Sequence, residues 1–119
     1  MHARVRAVIR RIEADFSGLP IALPSVDGET ITAHGMPFTA RAPYEPLVAA
    51  IANQLQDDVV DNLGRTWPEI DGRPLFASAD SGVACWCLDG KPWCAVGQLK
   101  EALVAAVEAG DEPMTGGVG

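Results

Sequence analysis

The chain has 119 residues, of which 48% are apolar and 21% charged, and it carries a net charge of −7 at neutral pH. That length predicts one domain able to bury a core without disulfide or metal staples, and the composition is that of an ordinary globular protein. The negative excess repels phosphate backbones and argues against general nucleic-acid binding, and no apolar run approaches the roughly 18 residues of a membrane span.

Residues 3–16 read as an amphipathic helix. Val5, Val8, Ile9, Ile12 and Phe16 recur at helical spacing, with arginines opposite them. Residues 1–12 hold four arginines (Arg4, Arg6, Arg10 and Arg11) and no acid, so the rest of the chain is more acidic than the total suggests. These arginines read as solvated surface, with Arg11 able to pair with Asp15 and Arg10 with Glu13 along the helix. The segment lacks a separate hydrophobic stretch and does not read as a signal peptide. Ser17-Gly18 followed by Leu19-Pro20 stops the helix.

Residues 19–42 read as extended chain, with a turn at Asp27-Gly28 between strands near Ile21–Val26 and Glu29–Ala33. Gly35-Met36-Pro37 is expected to break the run, and His34 reads as a surface residue near a strand end. The clearest helix spans about 46–63. Pro46 suits its first position, Leu47, Ile51, Leu55, Val59 and Leu63 recur every four residues, and Gly64 stops it. Asp57, Asp58 and Asp61 crowd its second half, where like charges repel and oppose the helix dipole. They read as a solvated face, with docking of a basic partner or a divalent-cation site as the functional alternatives.

Residues 65–96 are a second extended region, with turns at Asp71-Gly72, near Asp80-Ser81-Gly82, and at Asp89-Gly90. Ile70–Ala77 echoes Leu88–Ala95 at an offset of 18 residues. A last helix spans 98–109, with Leu99, Ala102, Leu103, Ala106 and Val107 inward and Gly110 as its end. The whole is expected to be an α+β fold: an antiparallel sheet of about four to five strands with three helices. Residues 1–110 form the domain and 111–119 a flexible tail.

The stretch CWCLDGKPWC, residues 85–94, concentrates three cysteines and two tryptophans around one turn. A type I′ turn at Asp89-Gly90 would pair Leu88 with Lys91, Cys87 with Pro92, Trp86 with Trp93 and Cys85 with Cys94. Alternation then places Cys85, Cys87, Pro92 and Cys94 on one face and Trp86, Leu88, Lys91 and Trp93 on the other. Cys85 and Cys94 would sit about 4.5 Å apart between Cα atoms, which permits a redox-switchable bridge. The favoured reading makes the thiols small apolar residues on a covered face. A zinc site is the metal alternative, using Cys85, Cys87, Cys94 and an imported His34, although Cys-x-Cys on a flat strand suits zinc poorly. A catalytic thiol lacks a nearby histidine. The indole face is either core or a partner surface built on Trp86, Trp93 and Lys91. An odd cysteine count without a signal segment points to the reducing cytoplasm.

From about Val48 to Leu99 the chain resembles a group of small uncharacterised actinobacterial proteins. The residues that carry the likeness are Ala52–Val60, Trp67-Pro68-Glu69, Arg73-Pro74-Leu75, Trp86-Cys87 and Val96-Gly97-Gln98-Leu99. In that group a Cys and His pair follows Trp-Pro-Glu, which makes the ribbon zinc-binding in character. Here Ile70-Asp71-Gly72 stands in that place, so the resemblance implies a degenerate zinc-ribbon-like hairpin and no activity.

No nucleophile elbow, phosphate loop or metalloprotease helix is present. The sequence therefore reads as a small, acidic, non-catalytic protein that binds a protein partner, of inhibitor, immunity or accessory type, with a homo-oligomer also open. The docking residues expected are Trp86, Trp93, Lys91, Asp57, Asp58 and Asp61. The alternative is a degenerate zinc-ribbon or thiol-switch domain using Cys85, Cys87 and Cys94. No cofactor is expected unless zinc binds.

Overall fold

The computed structural model describes residues 2–112, with side chains placed through residue 108. Among the described residues, three helices are separated by runs of three and five short strands, an α+β arrangement. Helix α1 spans Ala3–Phe16, with the His2 Nδ1 accepting from the Arg4 N–H at its start. Its apolar stripe of Val5, Val8, Ile12 and Phe16 is wholly buried. Strands β1 (Ser25–Asp27), β2 (Thr30–Ala33) and β3 (Met36–Thr39) make a first antiparallel sheet. The first turn sits one residue later than expected: Asp27 pairs with Thr30, so Gly28 and Glu29 are central. Gly35 does not break the run. It closes a second turn with His34, both at positive φ, and Met36-Pro37 continue as strand.

Helix α2 spans Tyr44–Leu63 and begins two residues before the expected start. Pro46 lies within its first turn, where no backbone donor is needed. Leu47, Ile51, Leu55 and Val59 are all buried, and Gly64 ends the helix in a left-handed conformation. Strands β4 (Glu69–Ile70) and β5 (Arg73–Pro74) form a second sheet. Strands β6 (Phe76–Ser78), β7 (Cys85–Leu88) and β8 (Lys91–Ala95) form a third, with β7 central. The strands therefore divide among three small antiparallel sheets rather than one of four to five strands. Repeated Gly and Pro punctuation keeps each strand too short to join its neighbours.

The echo between residues 70–77 and 88–95 holds as far as the turns. Asp71-Gly72 and Asp89-Gly90 both take two positive φ angles, each followed by one strand residue and a proline. Arg73 of the first turn forms an ion pair with Asp89 of the second. Helix α3 spans Leu99–Glu112 and runs through Gly110, which does not terminate it. Residues 113–119, most of the segment expected to be a flexible tail, lie outside the described residues.

Polar side chains join these elements where sheet edges would otherwise be bare. The Gln56 amide donates to the carbonyls of Trp67 at 3.0 Å and Leu75 at 2.6 Å, and Asn53, one turn earlier, donates to Ala77 at 2.9 Å. The Ala77 carbonyl of β6 and the Leu75 carbonyl just before the strand are thus capped by α2. Arg11 is not a solvated surface residue paired with Asp15. Its guanidinium donates to the Val96 and Ala84 carbonyls, meets the Glu45 carboxylate at 2.8 Å and lies over the Tyr44 ring. Burial opposes both charges. At Glu45 it is outweighed by the Ala84 N–H and Arg11, which hold the carboxyl below its usual range. Among the described residues no buried side-chain nitrogen or oxygen lacks a partner.

Candidate functional site

The Asp89-Gly90 turn forms as expected, with φ of 53° and 79°. Leu88 pairs with Lys91 and Cys87 with Pro92. Beyond that point the expected register fails. Trp86 faces Cys94 and Cys85 faces Ala95, because a bulge takes up Trp93. Volume explains the slip. Trp86 is fully buried, and its ring centroid lies 5.9 Å from those of both Phe16 and Trp67. In register, a second indole would have entered the same packed site. The bulge puts the smaller Cys94 there instead.

One residue of slip moves a side chain to the other face. Cys94 therefore joins Trp86 and Leu88 on the core face. Cys85 and Cys87 remain together on the outer face, with Pro92 beside Cys87 and with Phe76 and Ser78 of β6 across from them. The opposed Cys85/Cys94 geometry that suggested a bridge is absent, and all three thiols are free. Trp86 is core and has no surface to offer a partner, whereas Trp93 is half-buried and Lys91 exposed.

Burial, then the Asp15 carboxylate and the two other thiols, push the Cys94 thiol up to about 12. The folded state thus keeps this proton where the unfolded chain releases it near 9. A group whose pKa rises on folding adds stability below the unfolded pKa, and that stability drains as pH climbs toward the folded value. Stability should therefore fall between about pH 9 and 12, by less than the limiting slope of about 1.4 kcal/mol per pH unit, because this half-buried group is screened by solvent. Cys94→Ala should flatten that limb in urea titrations taken across the range. An unchanged slope would remove Cys94 as its source.

The outer face of the third sheet is the open one. A concavity of about 420 Å³ is lined by Phe76, Ser78, Asp80, Ser81, Cys87 and Pro92, with Gly90 at the turn. Phe76 is 57% exposed, and Val83, in the β6–β7 connection, is 46% exposed. Burial and the neighbouring Cys85 and Asp80 raise the Cys87 pKa, the reverse of what activates a nucleophilic thiol. The chemistry available here is apolar contact with a polar rim. Sequence reasoning missed Phe76. Its signal was alternation, since Leu75 and Ala77 are buried on either side of it.

The other expected site residues are scattered. Asp57 and Asp61 are exposed on α2. Asp58 is partly covered, with His34 Nε2 at 3.8 Å and the Asn62 amide at 2.8 Å. His34 thus meets α2 from the β2–β3 turn of a different sheet, and the four expected zinc ligands do not converge. Among the described residues, no group of three or more His, Cys, Asp or Glu side chains could hold a metal ion. Val107 of α3, expected inward, is 65% exposed. Leu99 is the buried end of that helix, Ala102, Leu103 and Ala106 are partly buried, and α1 and β8 are the elements packed against it. Among the described residues no helix is long and apolar enough to cross a membrane. Comparison with known proteins finds no matching family model, no matching curated protein and no matching solved structure.

Proposed function

We propose that this protein acts by docking a protein partner, without catalysis, as inhibitor, immunity or accessory proteins do. The observation that carries the reading is the outer face of the third sheet. Phe76 and Pro92 stand exposed in a shallow concavity that Asp80, Ser78 and Ser81 also line, and Val83 is exposed in the β6–β7 connection. An exposed aromatic with an apolar surround and a polar margin is the anatomy of an interface anchor. The net charge of −7 favours a basic partner, with Asp57 and Asp61 supplying long-range attraction. Three free thiols suit the cytoplasm, where reductants keep them so.

This assignment moves the docking surface from the indole face to the opposite one. Phe76→Asp and Val83→Asp change exposed side chains, so each should alter stability by no more than about 0.5 kcal/mol. Affinity purification of tagged wild type from the native host, read by mass spectrometry, should recover a basic protein that both variants lose. Recovery of the same protein at equal yield by both variants would sink the reading.

A further inference from the structure

We infer that Cys85 and Cys87 form a two-coordinate site for a soft divalent metal cation that prefers linear bis-thiolate ligation. Alternate residues of one strand share a face, so these two side chains leave β7 in parallel, with Cα atoms about 6.6 Å apart. Two collinear metal–sulfur bonds of about 2.3 Å span about 4.6 Å. Rotation of the two Cα–Cβ bonds toward each other closes that difference without moving the backbone. Cys87 already leans this way, with its sulfur 3.7 Å from the Cys85 carbonyl oxygen.

The surroundings select the ion. Cys94 faces the core beside Trp86, so a third thiolate cannot join and the tetrahedral set that zinc requires cannot form. No histidine lies in the third sheet, and Phe76 and Pro92 flank Cys87 with apolar surface. Two adjacent thiolates favour soft metals over hard ones, even with the Asp80 carboxylate lining the same concavity. Both sulfurs belong to residues less than a tenth exposed, 8% for Cys85 and 9% for Cys87, so an uncharged product is preferred. A divalent ion supplies that: it displaces one proton from each thiol and leaves a neutral bis-thiolate, with no change of oxidation state. The concavity beside Cys87 is the entry path.

The test uses the reduced full-length protein with one equivalent of mercuric chloride in excess glutathione, followed by gel filtration and metal analysis. A chelating pair resists exchange by a monothiol, whereas a single thiol does not. Wild type should retain one equivalent. Cys85→Ser and Cys87→Ser should each retain at least about 100-fold less under matched competition, and Cys94→Ser should equal wild type. Zinc chloride in the same protocol should not co-elute. Alkylation mapping of the loaded wild type, which needs no variant to fold, should find Cys85 and Cys87 protected together. Retention lost in Cys94→Ser, protection of Cys94 with either partner, or release of mercury from wild type by glutathione would each overturn the assignment.

Discussion

Asp15→Ala is expected to cost about 4 kcal/mol in urea unfolding, with Asp15→Asn costing about half as much. The carboxylate is 1% exposed and takes three donors. One oxygen accepts the Trp86 indole N–H at 2.9 Å and the Gly97 N–H at 2.6 Å, and the other accepts the Leu99 N–H at 3.0 Å. Leu99 opens α3, so a side chain from α1 caps a helix more than eighty residues away and places its charge at the positive end of that helix dipole. Alanine leaves three donors unpaired, at about 1–3 kcal/mol for each one that stays buried. Asparagine keeps one acceptor oxygen but turns an NH2 toward the remaining donors, so it serves one side of the cluster and clashes with the other. Domain stabilities are commonly about 5–15 kcal/mol, so the alanine variant should approach the limit of folding. A loss below about 1 kcal/mol would show that water replaces the carboxylate and that Asp15 is not the clamp.

Asp15 marks where the sequence could be read and where it was misread. It sits three residues after Ile12 and seven after Val8, on the buried stripe of α1, not on the arginine face. A carboxylate on an apolar stripe implies an uncharged or donor-rich partner somewhere else in the chain. Local pairing with Arg11 one turn earlier is the simpler account and overlooks that stripe. Gln56 repeats the pattern on α2, four residues after Ala52, and it too is a buried cross-link. In both cases the helix and the anomaly are visible in the sequence. The partners are not, because they come from chain 11 to 84 residues distant.

The hairpin divides in the same way. Asp89-Gly90 fixes its turn and the first two pairs, because positive φ at both positions is a local requirement. From Trp86 outward the register is set by which side chain fits beside Phe16 and Trp67, and that volume belongs to the folded core. Exposure of Phe76 follows from the same event. With Trp86 turned inward, its paired β6 neighbour Ala77 must be small and buried, and Phe76 and Ser78 take the outer face.

Trp86→Ala is expected to destabilise by about 4 kcal/mol, at the level of the Asp15 change, because deleting a buried aromatic costs about 3–5 kcal/mol. The indole loses contact with two rings at 5.9 Å and one hydrogen bond to Asp15. Trp86→Phe separates these contributions. It keeps most of the ring packing and removes the N–H, while Gly97 and Leu99 still hold the carboxylate, so about 1–2 kcal/mol should be lost. The two sites share a bond, so Trp86→Phe combined with Asp15→Asn should cost less than the sum of the single changes. Strict additivity would place the indole N–H outside the Asp15 cluster. The same phenylalanine variant distinguishes the two faces of the ribbon: it should fold, and it should retain the partner that Phe76→Asp loses. Trp93→Asp, at the half-buried indole of the other face, should retain it as well, and loss of the partner in that variant with the fold intact by circular dichroism would return docking to the indole side.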